Sequence, residues 1–255
     1  MALLKSGNPT LSAKIFNTTI SDQQQGVMTA RGAMNKFGFL FLMVIAGAAF
    51  TWHLYYQGKA QTMMPLMMVG VFGGLITAIV ISFKQTWAPY LAPLYGLLEG
   101  LFIGAISAIV NEMFATKYPG IVIQSVGLTL GVAVAMFLLY NFRIIRPTQR
   151  FKSILLTATA GIAIFYLITW IVSMFGVRME FMMLGDGSLL GIGISLFVVI
   201  IAALNLIIDF DMIEQGAEMG APKYMEWYCA FALMVTIVWL YVEMLKLLSR
   251  LGSRD

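Results

Sequence analysis

The chain predicts an all-α integral membrane protein built from seven transmembrane helices. Three observations carry this expectation. Of the 255 residues, 60% are apolar and only 11% are charged. Mean hydropathy is positive. Apolar runs of about 20 residues, the length a helix needs to cross hydrocarbon, recur along the whole chain. Such a composition excludes a soluble globular domain. The lone Cys229 excludes an intrachain disulfide, falls short of a thiolate metal site and reads as a small apolar side chain packed in a helix.

The elements follow in order. Residues 1–36 form a polar tail carrying Lys5, Lys14, Arg31 and Lys36 with no early apolar core, which does not read as a cleavable secretory signal. Spans are predicted at 37–56, 63–83, 90–115, 121–140, 154–175, 189–210 and 228–248, inside a transmembrane domain of 37–250, and 251–255 is a short C-terminal tail. The linkers are punctuated by turn formers: Gln57-Gly58-Lys59, Trp87-Ala88-Pro89, Tyr118-Pro119-Gly120, Arg146-Pro147, Gly185-Asp186-Gly187-Ser188 and Gly220-Ala221-Pro222. No linker is long enough to hold a second domain. Trp52, Tyr55, Trp87, Tyr90, Trp227 and Tyr228 fall near span ends, where amphipathic rings anchor at the interface.

Cations set the expected orientation. With the N-terminus inside, ten Lys and Arg lie inside (four in the tail, then Lys84, Arg143, Arg146, Arg150, Lys152 and Lys223). Six lie outside: Lys59, Lys117, Arg178, Lys246, Arg250 and Arg254. This bias favours a cytoplasmic N-terminus. The C-terminal cations pull the other way, and a re-entrant final run, returning the tail inside, is the alternative. Small residues at helical spacing, Gly70 and Gly74, Gly96, Gly100 and Gly104, and Gly127 and Gly131, predict close helix contacts. The Asn17-Thr18-Thr19 sequon lies in the tail expected inside and carries no meaning there.

Intramembrane acids are the candidate functional residues, because an ionisable group in hydrocarbon costs roughly 2.5–3.5 kcal/mol by insertion scales and faces a pathway or a partner. Glu99 lies near the middle of the third span, beside Gly100, so it points at a helix contact. There it is either a structural carboxyl or a pathway-lining proton or cation ligand. Asp209 and Asp211 stand about 200° apart on a helix and cannot share one interior. Asp209 shares a face with Asn205, and Asp211 with Glu214 and Glu218, which read as a solvated acidic face. Glu243 lies inside the last span, with Lys246 three residues on as an intrahelical partner. Two carboxylates held together in low dielectric cannot both stay charged cheaply, so a closed, proton-bridged pair opens as pH rises. The only histidine, His53, leaves zinc hydrolysis and serine triads unsupported. The cations sit in short loops where topology explains them, so nucleic acid is not an expected partner.

The stretch Pro93-Leu94-Tyr95-Gly96-Leu97-Leu98-Glu99-Gly100, together with Ile208-Asp209-Phe210-Asp211 and Trp239-Leu240-Tyr241-Val242-Glu243, resembles the Bax inhibitor-1 family in its bacterial branch, an inner-membrane setting. The resemblance implies a fold whose last helix is central and wrapped by two three-helix layers. It also implies a pH-sensitive cation leak, best described for calcium, gated by acids on the sixth and seventh helices. On this chain those acids match Asp211 and Glu243, the latter being Glu where the family's sensor has Asp. The arginine that latches the sixth-helix aspartate has only Lys84 as a match, and Lys lacks the bidentate fork. Spacing alone opposes the pair. With a turn at 220–222, Asp211 lies about 13 Å before it and Glu243 about 31 Å after it. A kinked or unwound 212–226 segment, at Gly216 and Gly220, would be needed to bring them level.

The leading expectation is therefore a seven-helix leak pathway for cations, with calcium as a permeant ion, no bound cofactor and no enzymatic activity. Calcium prefers several oxygens, so Glu99, Asp209 and backbone carbonyls would assist. Proton-coupled transport of another solute uses the same acids. The alternative is a membrane interaction protein that modulates a quality-control protease or a stress pathway through residues 1–36.

Overall fold

The computed structural model describes residues 26–176 and 185–254. Among the described residues seven α-helices follow one another: α1 (Ala30–Tyr56), α2 (Ala60–Phe83), α3 (Ala88–Met113), α4 (Ile121–Asn141), α5 (Gln149–Met174), α6 (Leu189–Glu218) and α7 (Met225–Leu251). All seven are long and apolar enough to cross a membrane, and the protein is an integral membrane protein of all-helical fold. Tail residues 1–25, with the sequon, and Arg178 lie outside the described residues.

Local chemistry sets the helix ends. The Thr29 hydroxyl accepts from the Gly32 N–H at 2.9 Å, so α1 begins at Ala30 and takes in polar residues up to Lys36 that hydropathy assigns to the tail. Thr148 and Ser188 cap α5 and α6 in the same way. A 3-10 turn at Gln85–Trp87 leads into α3, whose Pro89 occupies the first turn, where its missing N–H costs nothing. Gly220, at φ +66°, ends α6. The Ala221 N–H reaches back to the Gly216 carbonyl at 3.0 Å and the Gly220 N–H to Ala217 at 3.2 Å, which closes the last helical turn.

α7 occupies the centre. Of its apolar window 67% is buried inside the protein, against 11% for α5, which turns most of its surface outward. α7 packs on α1, α3, α4 and α6. Lipid tails are as apolar as leucine, so helix association here rests on close van der Waals contact. The α1–α3 seam shows it best. A Cβ at Gly100 would lie 2.3 Å from the Val44 carbonyl oxygen, and one at Gly104 would lie 2.1 Å from that of Ala48. Gly47 answers from α1, where a Cβ would lie 2.5 Å from the Leu97 carbonyl oxygen, and Gly70 brings α2 against α3 in the same manner. Gly127 and Gly131 depart from the expectation of close packing. No atom lies within 4 Å of an added Cβ at either, because their face of α4 turns outward.

The two ends of the bundle are distinct. Val27 bridges Pro222, and the Met28 N–H donates to the Ala221 carbonyl at 2.7 Å, so the start of α1 and the α6–α7 turn share one end. Gly252 packs on Tyr118, and Gly187 on Arg254, at the opposite end. α7 is thus one continuous span running end to end. The re-entrant alternative does not hold, because 27 unbroken helical residues carry the chain across.

Candidate functional site

Each intramembrane acid has its own setting. The Glu99 carboxylate lies over Gly74 of α2, its Oε1 3.0 Å from where a Cβ would stand, and it is hydrogen-bonded to Tyr95 one turn earlier. The glycine makes room for the acid in the α2–α3 seam, as its neighbour Gly100 suggests. Asp209 lies in the α6–α7 seam beside Thr236, whose hydroxyl bonds it, and close to buried Cys229. Its Oδ2 is buried without a partner.

Asp211, half a turn on, is well satisfied. Lys152 of α5 forms an ion pair with it. Gln215 donates to its Oδ2 at 2.7 Å, and the Tyr140 hydroxyl lies 3.5 Å from Oδ1. Tyr140 also hydrogen-bonds Glu214, which pairs with Arg143. The Glu214 hydrogen bond pushes the exposed Arg143 guanidinium above its ordinary value. Asp211 and Glu214 therefore belong to a polar network joining α4, α5 and α6 at the end where the chain enters α5. Lys84, the expected latch for Asp211, is not there. Its ammonium stacks 4.4 Å above the Trp87 ring, because the 3-10 turn folds Trp87 back beneath it, and Lys152 takes the position on Asp211.

Glu243 faces α5 near the other end. It accepts from the Tyr166 hydroxyl at 3.1 Å and from Lys246 at 2.9 Å, the intrahelical pair that its spacing allows. Its Oε2 is buried without a partner. A buried oxygen left unpaired costs roughly 1–3 kcal/mol, so Asp209 and Glu243 each hold a vacant acceptor at a protected position. Seven residues beyond Glu243, about two turns on, Arg250 is buried and donates to the Gly191 carbonyl and, at 2.9 Å, to the Ser195 hydroxyl, tying α7 to the start of α6.

Asp211 and Glu243 bond different partners, and where both reach α5 they do so at Lys152 and at Tyr166, 14 residues or about 21 Å of helix apart. The unwound 212–226 segment that would bring them level is absent: α6 stays helical through Glu218, and only a short turn precedes Met225. Asp211 thus stands about 10 Å before the end of α6 and Glu243 about 27 Å into α7. Among the described residues no three His, Cys, Asp or Glu side chains gather into a metal-holding group. Asn205 donates to Thr159 of α5 at 2.8 Å and to its own helix at Ile201, holding α5 to α6.

Glu226, at the start of α7, is not singled out by the sequence, because two of its partners, Thr29 and Lys36, are remote in the chain. It is fully buried and forms ion pairs with Lys36, 190 residues away, and with Lys223 at 2.9 Å. Both the backbone N–H and the hydroxyl of Thr29 donate to it, at 3.0 and 3.1 Å. Gly32 makes this possible, since a Cβ there would lie 2.1 Å from the carboxylate.

The fold and these acids define a polytopic helical membrane protein whose charged groups are spread along its last two helices. A family model described as Bax inhibitor 1 like matches residues 8–253, and the chain belongs to that family. Neither the curated proteins nor the solved structures include a significant match.

Proposed function

We propose that the protein is a pH-sensitive cation leak, with calcium as a permeant ion, gated by carboxyls within the bundle. Family membership supports the class. The observation that carries the gating is the pair of buried, unpartnered carboxylate oxygens on Asp209 and Glu243, each a position that a proton or a cation would complete. Asp209 fits the sensor's role on α6 better than Asp211, whose charge Lys152 and Gln215 already answer. The Asp211–Lys152 pair serves instead as a lock at the end of the bundle where the chain enters α5. The leak is low while protons occupy the gating carboxyls and rises with pH as they leave. Glu99 lies apart in the α2–α3 seam as a further acid for a conducting state. The protein works without cofactor or catalysis, in a bacterial inner membrane with its N-terminus in the cytoplasm, the side the cation bias favours.

A second reading is favoured by one specific contact, the docking of residues 27–36 onto the α6–α7 turn through Glu226, which couples the N-terminal tail to the gating helices. On this reading the tail is a handle through which a membrane protease or stress-pathway protein acts. Calcium flux into proteoliposomes from the full chain and from a chain lacking residues 1–25 separates the two. Equal leaks support the channel. No leak from either, with loss of a cellular stress phenotype on deletion, supports the interaction protein.

A further inference from the structure

A second feature of the bundle lies away from the acids. α1 and α4 both pack on α7 without a packed seam between them, and an open groove runs along the gap. In its widest stretch, Phe41, Ala48 and Trp52 of α1 face Val126 and Leu130 of α4 across Ile237 of α7. Phe41, Leu130 and Ile237 also line the next stretch, which continues to Met34 and Phe137. Met34 and Phe137 in turn border a third, which ends at Tyr140, Arg143 and Glu214. From Met34 to Trp52 is 18 residues of helix, about 27 Å, close to the ~30 Å thickness of a hydrocarbon core.

The groove is lined for hydrocarbon. Its hydroxyls are engaged within the protein: Thr129 donates to the Ser125 carbonyl at 2.7 Å, and Tyr241 shares a 2.6 Å hydrogen bond with Ser107. The first two stretches are otherwise walled by apolar side chains, and charged groups enter only at the third. The widest stretch is open along one side and offers about 330 Å³ between Phe41 and Trp52, room for an acyl chain laid along the helices.

The polar mouth holds the Arg143–Glu214 ion pair. Arg143 is the one described non-glycine residue with positive φ, +56°, a strained conformation that places its guanidinium over the Tyr140 ring at the head of the groove. Glu214 engages one amino group, yet the Arg143 side chain remains 53% exposed. Arg146 follows on the α4–α5 linker and Arg150 in the first turn of α5, both exposed. The exposed part of the Arg143 guanidinium faces a phosphate at the depth where an acyl chain in the groove would place its headgroup.

We infer that the α1–α4 groove is a binding site for an anionic phospholipid, its acyl chain along Phe41, Leu130 and Ile237 and its phosphate at Arg143. The test uses the intact protein in vesicles of mixed phosphatidylglycerol and phosphatidylcholine, each lipid in turn carrying a photoreactive group on its acyl chain. The expected result is crosslinking to peptides containing Phe41, Leu130 or Ile237, stronger by roughly fivefold for phosphatidylglycerol, with that preference lost in Arg143→Gln. Ala48→Phe, facing into the groove, should reduce crosslinking in both lipids. Because Ala48 also borders the α1–α3 seam, Val126→Trp on the opposite wall repeats the block without touching it. Crosslinks scattered evenly over outward faces such as that of α5, an equal yield from both lipids, or protein–protein crosslinks between groove residues of two chains would overturn the assignment.

Discussion

Lys152, in the first turn of α5, closes an ion pair on Asp211 of α6 at the end of the bundle where the α4–α5 linker lies. The two side chains retain 25% and 9% of their exposure, so solvent screens the pair only in part. Removing the cation leaves a largely buried carboxylate with Gln215 and Tyr140 alone. Lys152→Met should destabilise the protein by about 1–3 kcal/mol and raise basal leak, whereas Lys152→Arg should restore both. Thermal unfolding in detergent, paired with flux in vesicles, measures the two effects.

The α1–α3 seam gives a sharper stability test. At Gly104 an added methyl meets the Ala48 carbonyl at 2.1 Å and the Thr51 hydroxyl at 2.4 Å, and neither belongs to a long flexible side chain that could move away. Gly104→Ala should cost about 2 kcal/mol or more. Gly131→Ala, with nothing within 4 Å, should be neutral or gain up to about 1 kcal/mol from helix propensity. Parallel melting curves of the two variants decide the point.

Glu226 should govern the N-terminal segment. Glu226→Gln keeps the shape but removes the charge that Lys36 and Lys223 share, leaving two ammonium groups beside a neutral amide. Limited proteolysis should then cut faster around 26–29, and Gly32→Ala, which pushes on the same carboxylate, should do likewise. Unchanged cleavage in both variants would show that the bridge between Val27 and Pro222 suffices to hold the segment.

The seven spans were legible because hydropathy over about 20 residues is a bulk property that no long-range contact alters. Their ends were less so. α1 reaches back to Ala30 because a single Thr29 hydroxyl caps it, and α6 runs on to Glu218 because Gly220 sits beyond the apolar run. Glycine spacing identified the α1–α3 contact from the α3 side, but it could not tell the packed Gly100 from the outward Gly131, since periodicity does not say which face meets a neighbour. The acids were visible as anomalies in an apolar chain. Of their partners only Lys246, three residues from Glu243 on the same helix, could be read from spacing, whereas Lys152 with Asp211 and Lys36 with Glu226 are joined only by the fold.

The most direct test of the central claim is calcium flux into proteoliposomes between about pH 6 and pH 8, for the wild type, Asp209→Asn, Glu243→Gln and Asp211→Asn. The account predicts a leak that rises with pH in the wild type and a flat, low leak in Asp209→Asn and Glu243→Gln, whose amides stand in for the protonated acids. Asp211→Asn should keep the pH dependence on a higher baseline, since only its lock with Lys152 is lost. Flux no greater than that of empty liposomes at every pH, or a wild-type pH profile in both Asp209→Asn and Glu243→Gln, would contradict gating by these carboxyls.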